Sequence, residues 1–169
     1  KYGNVTAANS SQVTDGAVWM VLASERAVER HGLAPRGRIV DTQWAGLDPA
    51  QMGLGPVHAA TPILTRHGLG LNDLDAWEIN EAFAAQVIGC LRAWESDEYC
   101  RTELGLPGAL GTLDTAKLNV DAITAWKYGG LRIDGVQRTM WYTPQHGLSC
   151  AIGVLAAVTV GTACVLDGS

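Results

Sequence analysis

The spacing of apolar positions changes several times along the chain, and the changes predict alternating strands and helices. Val5–Ala8 reads as a short extended piece, and Asn9-Ser10-Ser11 and Asp15-Gly16 are turn formers. Ala17–Ala23 (AVWMVLA) is a continuous apolar run, the pattern of a strand buried on both faces. Ser24 can cap a helix running to about His31, and Gly32 stands where a glycine stop belongs. Gly37–Ala45 predicts a second strand, followed by a glycine and proline loop from Gly46 to Pro56. Thr61-Pro62 reads as a cap and first-turn proline, opening a short helix that ends before Gly68. Leu74–Ile79 alternates as a third strand. Asn80–Trp94 has helical spacing, with Phe83, Val87, Ile88 and Leu91 on one face. Glu95–Asp114 is polar and reads as a surface excursion, and Leu118–Val120 is apolar again. Strands alternating with short helices predict a layered α/β fold.

From Gly147 to Leu166 there is no charged residue, and a segment of that length would span a bilayer. Its β-branched residues and glycines in short runs fit two buried strands joined by a turn, the favoured reading over a spanning helix.

Composition sharpens this outline. The 169 residues are 47% hydrophobic and only 17% charged, below the usual quarter, so much of the chain is expected to be interior or to face a partner. Twelve Lys+Arg against 17 Asp+Glu give a net charge of −5. There is no basic stripe, which argues against a nucleic-acid partner. Cys90, Cys100, Cys150 and Cys164 form no CxxC pair and have no histidine at zinc-knuckle spacing. Reduced thiols and a cytoplasmic setting follow. The chain starts at Lys1 without a signal-peptide pattern, and it can be a processed product or a piece of something longer.

The stretch richest in chemistry is Trp77-Glu78-Ile79-Asn80-Glu81-Ala82-Phe83, where a strand runs into a helix with Asn80 at the junction. Asn80 is placed to cap that helix, and exposed amides there favour an anion or a carbonyl oxygen. An ordinary N-cap explains the same residues.

Several motifs in order decide between these readings. NEAFAAQ at 80–86 resembles the asparagine motif of the thiolase family. Asn9–Gly16 (NSSQVTDG) is similar to the family's entry to its C-terminal domain. Asp48-Pro49 followed by Met52-Gly53-Leu54-Gly55-Pro56 resembles its D-P-x-x-M-G-x-G-P loop. The 28-residue step from Met52 to Asn80 agrees, and Leu118-Asn119-Val120-Asp121 resembles the lead-in to the next catalytic loop. The long excursion after Trp94 resembles the degradative thiolases of fatty-acid β-oxidation more than the short biosynthetic ones.

The resemblance implies a thiolase-like half, a five-stranded mixed β-sheet with layered helices on both faces. The whole of 1–169 is then a C-terminal domain, family-like to about Asp121 and divergent over 122–169. It implies acyl transfer from 3-ketoacyl-CoA by a cysteine in an N-terminal half, with a G-H-P histidine as activator and a C-x-G cysteine as acid/base. Coenzyme A thioester is substrate, and no cofactor or metal is implied. Asn80 is carried over as the asparagine that holds the oxyanion water, and Met52 as a residue lining the acyl pocket. Glu81 is expected to fix the helix entry. His58, just after the Met52 loop, could approach that pocket.

The family pattern stops after Asp121. No G-H-P occurs, and Ala122-Ile123-Thr124-Ala125-Trp126 stands in its lead-in. His146, the one histidine downstream, reads as a surface loop residue; His31 and His67 end helices, where a cation suits the dipole. The C-x-G signature is also missing. Family spacing puts the acid/base thiol nearer Cys164 than Cys150, while Cys90 reads as core and Cys100 as inert. The expectation is a chain inactive without its N-terminal half, paired with that half or homo-oligomeric, and with the β-oxidation multienzyme complex as a further implied partner. A non-catalytic thiolase-like module that binds acyl-CoA or lipid, or acts as a scaffold, is the alternative reading, and a membrane-anchored protein a third.

Overall fold

The computed structural model describes residues 3–11, 21–35, 37–119, 151–157 and 160–167. Its elements are α1 (Glu25–His31), β1 (Arg38–Gly46), α2 (Gly55–His67), β2 (Ala76–Ile79), α3 (Ala84–Glu95), α4 (Asp97–Thr102), β3 (Ala151–Ala157) and β4 (Val160–Asp167). Short 3-10 turns cover Ala7–Asn9, Pro49–Leu54 and Thr115–Lys117. The 3-10 turn at Ala7–Asn9 replaces much of the extended piece expected at Val5–Ala8, because Asn9 Oδ1 accepts the Thr6 N–H at 2.7 Å and curls the backbone.

The helix ends follow from their capping chemistry. Ser24 accepts the Ala27 N–H, and Gly32 adopts the left-handed conformation at φ 57° that closes α1. The Leu33 N–H then bonds back to the Val28 carbonyl at 3.0 Å, the six-to-one bond of a Schellman stop. Gly68 ends α2 in the same way, with Leu69 N–H on the Leu64 carbonyl at 2.9 Å.

α2 begins at Gly55, well before the predicted Thr61. Pro56 is the first-turn proline, and Pro62 lies inside the helix. Pro62 removes one intrahelical bond at a cost of about 3 kcal/mol. Val57, Ile63 and Leu64 are fully buried on the same helix, each worth about 1.5–3 kcal/mol, so burial wins and the helix continues.

The described strands form one mixed sheet in the order β1-β4-β3-β2. β4 runs antiparallel to both β1 and β3, while β2 and β3 are parallel. The terminal apolar run is therefore the expected strand pair, and no helix of the described residues is long and apolar enough to cross a membrane. Of the five strands expected, four are seen here. The predicted Ala17–Ala23 strand falls partly outside the described residues, and its described end is exposed, with Val21 at 89%.

α2 lies against β1, β3 and β4, on the face that includes Asp41, Gln43 and Ala45. This turns β1 polar-side-in: Trp44 is 67% exposed, while Asp41 and Gln43 accept hydrogen bonds from Arg66 at the end of α2. The core joins α2, β2 and α3 through Trp77, Trp94, Ile63, Leu64, Leu74 and Ile79. The Trp77 and Trp94 rings meet at 5.2 Å and 58°. Each indole N–H finds an acceptor, Leu71 O at 2.7 Å and Thr61 Oγ1 at 3.1 Å, as buried tryptophans require. The excursion after Trp94 is partly core: α4 buries Cys100, and Leu113 is buried as well.

Candidate active site

β2 ends at Ile79 in the interior, and the chain emerges at Asn80. Asn80 is exposed and does not cap α3. The helix starts only at Ala84, with Phe83 in the cap position and no side-chain cap bond. Residues 80–83 are held off the helix by bonds to other segments. Ser11 N–H bonds the Ala82 carbonyl at 2.8 Å, and Ser10 bridges Phe83. The amide of Asn80 is thereby left for other use.

Asn119 governs the same junction from the other side. Its Oδ1 accepts the Ile79 N–H at 2.7 Å. Its Nδ2 donates to the Ile79 carbonyl at 3.0 Å and to Glu81 Oε1 at 2.9 Å. Glu81 is buried and fixes the entry loop rather than the first turn of α3.

Met52 stands on the 3-10 turn Pro49–Leu54, which Asp48 caps by accepting the Ala50 N–H at 2.8 Å. The turn presses on α3. A Cβ at Gly53 would meet Gln86 Cγ at 3.1 Å, and the Gly53 carbonyl accepts the Cys90 thiol at 3.3 Å. Met52 remains 42% exposed at the rim. The Met52 turn packs on α3 at Gln86 and the Asn80 loop leads into the same helix.

His58 is not brought to them. Because α2 begins at Gly55, His58 stands on the helix and is directed at α4. Its Nε2 meets the Tyr99 hydroxyl at 2.8 Å and the rings pack edge-on at 6.0 Å. Burial lowers the His58 pKa, opposed by the charge of Glu103, so the neutral imidazole is favoured. It faces a groove of about 400 Å³ between α2 and residues 103–106, away from the Met52 turn.

Cys164 sits inside β4, paired with Thr42 of β1 on one side and Gly153 of β3 on the other. That is a ladder position within the sheet, whereas the C-x-G expectation needs a strand-end loop. Cys150 and His146 lie outside the described residues. Burial pushes the Cys90 thiol up to about 12, which makes it inert as a nucleophile near neutral pH. Cys100 is fully buried on the Ala93 and Trp94 carbonyls, both at 3.4 Å. Among the described residues no group of His, Cys, Asp and Glu could hold a metal ion.

Asn119 is the residue that motif reading passed over, naming it only within the lead-in Leu118–Asp121. Its signal in the sequence is slight: an asparagine after an apolar residue, of the type that tolerates positive φ.

The chain matches the family model described as thiolase, C-terminal domain, over residues 21–123. It is 49% identical over 105 residues to the 3-oxoadipyl-CoA/3-oxo-5,6-dehydrosuberyl-CoA thiolase of Escherichia coli, covering 62% of this chain and 24% of that protein. Against the 3-ketoacyl-CoA thiolase of Pectobacterium atrosepticum it is 40% identical over 121 residues, covering 71% and 28%. Human mitochondrial 3-ketoacyl-CoA thiolase, solved in complex with CoA, superposes with a TM-score of 0.67 at 29% identity. Acetyl-CoA acetyltransferase of Bacillus anthracis gives 0.69 at 30%. Both alignments cover 100% of this chain and 40% of the solved one. The chain spans about a quarter of the length of the curated relatives it matches. The fold, the ordered motifs and these matches agree, and the chain belongs to the thiolase C-terminal domain family.

Proposed function

We propose that this chain is the C-terminal half of a degradative thiolase that transfers an acyl group between an enzyme cysteine and CoA. The supporting observation is the exposed Asn80, excluded from helix capping just before α3, the helix on which the Met52 turn packs. An asparagine amide offers two N–H donors, and donors already aimed at a developing oxyanion need no reorganisation during reaction. Asn80 holds the water that faces the thioester oxygen, and Met52 lines the acyl pocket. The nucleophile belongs to the N-terminal half, which the pairing must supply. Cys164 in mid-strand is poorly placed as the acid/base thiol, and His58 serves α4 rather than the acyl chain.

Fatty-acid β-oxidation is the role supported by the long excursion after Trp94, and 3-ketoacyl-CoA thiolases stand among the relatives. Relatives named for 3-oxoadipyl-CoA and β-ketoadipyl-CoA, at 49–51% identity, support a second reading, thiolysis of a dicarboxylic acyl-CoA. A cytoplasmic homo-oligomer, a fifth strand supplied by Ala17–Ala23 and association with a β-oxidation complex complete the proposal.

Thiolysis of acetoacetyl-CoA, a long-chain 3-ketoacyl-CoA and 3-oxoadipyl-CoA tests it. The isolated chain is expected to turn over none of them. Added N-terminal thiolase half is expected to restore cleavage, and the preferred substrate separates the two roles. A paired chain that binds acyl-CoA without cleaving it identifies a non-catalytic module instead.

A further inference from the structure

We infer that Asn119 is a positioning residue that sets the geometry of Asn80, an inference that rests on the thiolase reading of Asn80. Leu118 and Asn119 continue the sheet on the free side of β2: Leu118 pairs with Trp77 in parallel, and the Asn119 N–H bonds the Trp77 carbonyl at 2.7 Å. In a regular parallel ladder the next bond would run from the Ile79 N–H to the carbonyl of residue 119. At Asn119 the backbone turns into the left-handed region, at φ 52°, and the ladder is completed by the side chain. Oδ1 takes the place of that carbonyl at 2.7 Å, and Nδ2 closes on the Ile79 carbonyl at 3.0 Å. The same Nδ2 reaches Glu81 Oε1 at 2.9 Å. Asn80 is thus gripped on both flanking residues by one buried amide, while its own side chain stays exposed.

Few residues meet these conditions. Asparagine tolerates positive φ better than any other residue carrying an amide, and its short amide presents a donor and an acceptor like a peptide group. Aspartate keeps the acceptor and loses both donations, setting a carboxylate against Glu81. Glutamine carries the amide one methylene too far. The same segment has a second staple that controls for mere stability. Asn72 binds Thr112 O at 2.9 Å and the Asp114 N–H at 2.8 Å, bonds that involve none of residues 79–81.

The test reads Asn80 directly in the full 169-residue chain by amide NMR and hydrogen exchange. Asn119→Ala is expected to speed exchange at the Ile79 amide at least about 100-fold and to broaden or double the Asn80 side-chain amide signals. Asn72→Ala is expected to leave both unchanged. Asn119→Asp, which keeps one bond of the three, gives the same change at Asn80 with smaller amplitude should the alanine variant unfold. With an N-terminal half restoring thiolysis, Asn119→Asp lowers kcat at least about tenfold with KM within twofold, the pattern of misplaced donors. Unchanged Asn80 signals in both Asn119 variants overturn the inference, as does an equal response to Asn72→Ala. If the unsubstituted pair cleaves nothing, the thiolase reading fails and the NMR comparison still decides the clamp.

Discussion

Asn80 carries an amide that the fold itself does not use. The residue is exposed, α3 starts four residues later at Ala84, and Phe83 holds the cap position. A residue in that situation contributes little to folding, so Asn80→Ala is expected to change unfolding free energy by less than about 0.5 kcal/mol. In a reconstituted enzyme the same change is expected to reduce kcat by about two to three orders of magnitude, the usual loss for one oxyanion donor. Urea melts and steady-state thiolysis on one preparation check both halves of the prediction. A capping role would reverse the pattern, with a loss of about 1 kcal/mol in stability and none in rate. Asn80 and Met52 are proposed from the sequence because ordered motifs at fixed spacing point to them. The work of Asn119 was not legible there, since it depends on a backbone turn and on partners about forty positions away. His58 misled for a related reason. Proximity in sequence to Met52 says nothing about direction once both lie on different sides of a helix start.

At the scale of elements, caps and stops were readable and the orientation of β1 was not. Ser24, Gly32 and the terminal strand pair follow from local chemistry that any short window displays. The strand RIVDTQWAG instead looks apolar outward and polar inward, because its partners Arg66 and His67 arrive from α2. Asp41 Oδ2 accepts from Arg66 Nε and Nη2 at 3.0 and 2.8 Å and from His67 Nε2 at 3.0 Å. The Arg66 hydrogen bond holds the Asp41 carboxyl below its ordinary value, burial opposes it, and the His67 and Thr42 bonds add to it. The sign follows by linkage. The unfolded carboxyl takes a proton more readily than the folded one, so the contribution is present above the unfolded value of about 3.9 and is lost as pH falls through the folded value. Urea midpoints taken from about pH 5 down to about pH 2 should therefore fall, and Asp41→Asn should remove part of that slope. An identical acid limb in both proteins would detach Asp41 from the β1–α2 joint.

For the molecule as a whole, the low charge content now has a location. Trp44 is 67% exposed on the face of β1 turned from α2, Ile88 is 54% exposed on α3, and Met52 is half-exposed. Of the apolar face expected of α3, Val87 is buried and Leu91 packs on the core, while Ile88 is left exposed and Cys90 and Trp94 take the interior. The open side of α3 therefore carries one large apolar residue, Ile88, next to the exposed Arg92 that pairs with Glu95. Exposed aromatic and aliphatic residues such as Trp44 and Ile88 favour association in water. The periodicity of 80–94 displayed the helix but could not say which of its apolar residues are covered inside the same chain, because that depends on Gly53 and the 3-10 turn pressing on Gln86 and Cys90. Light scattering on the isolated chain is expected to give a mass well above 17.9 kDa. Ile88→Glu places a charge on the open side of α3 without touching the packed one, so it is expected to shift the population toward monomer with the melting temperature of the chain unchanged. On the proposed function, the same substitution is expected to abolish pairing with an added N-terminal half should that half cover the open side of α3. A monodisperse monomer before substitution would show that the open side of α3 is covered by this chain's own residues.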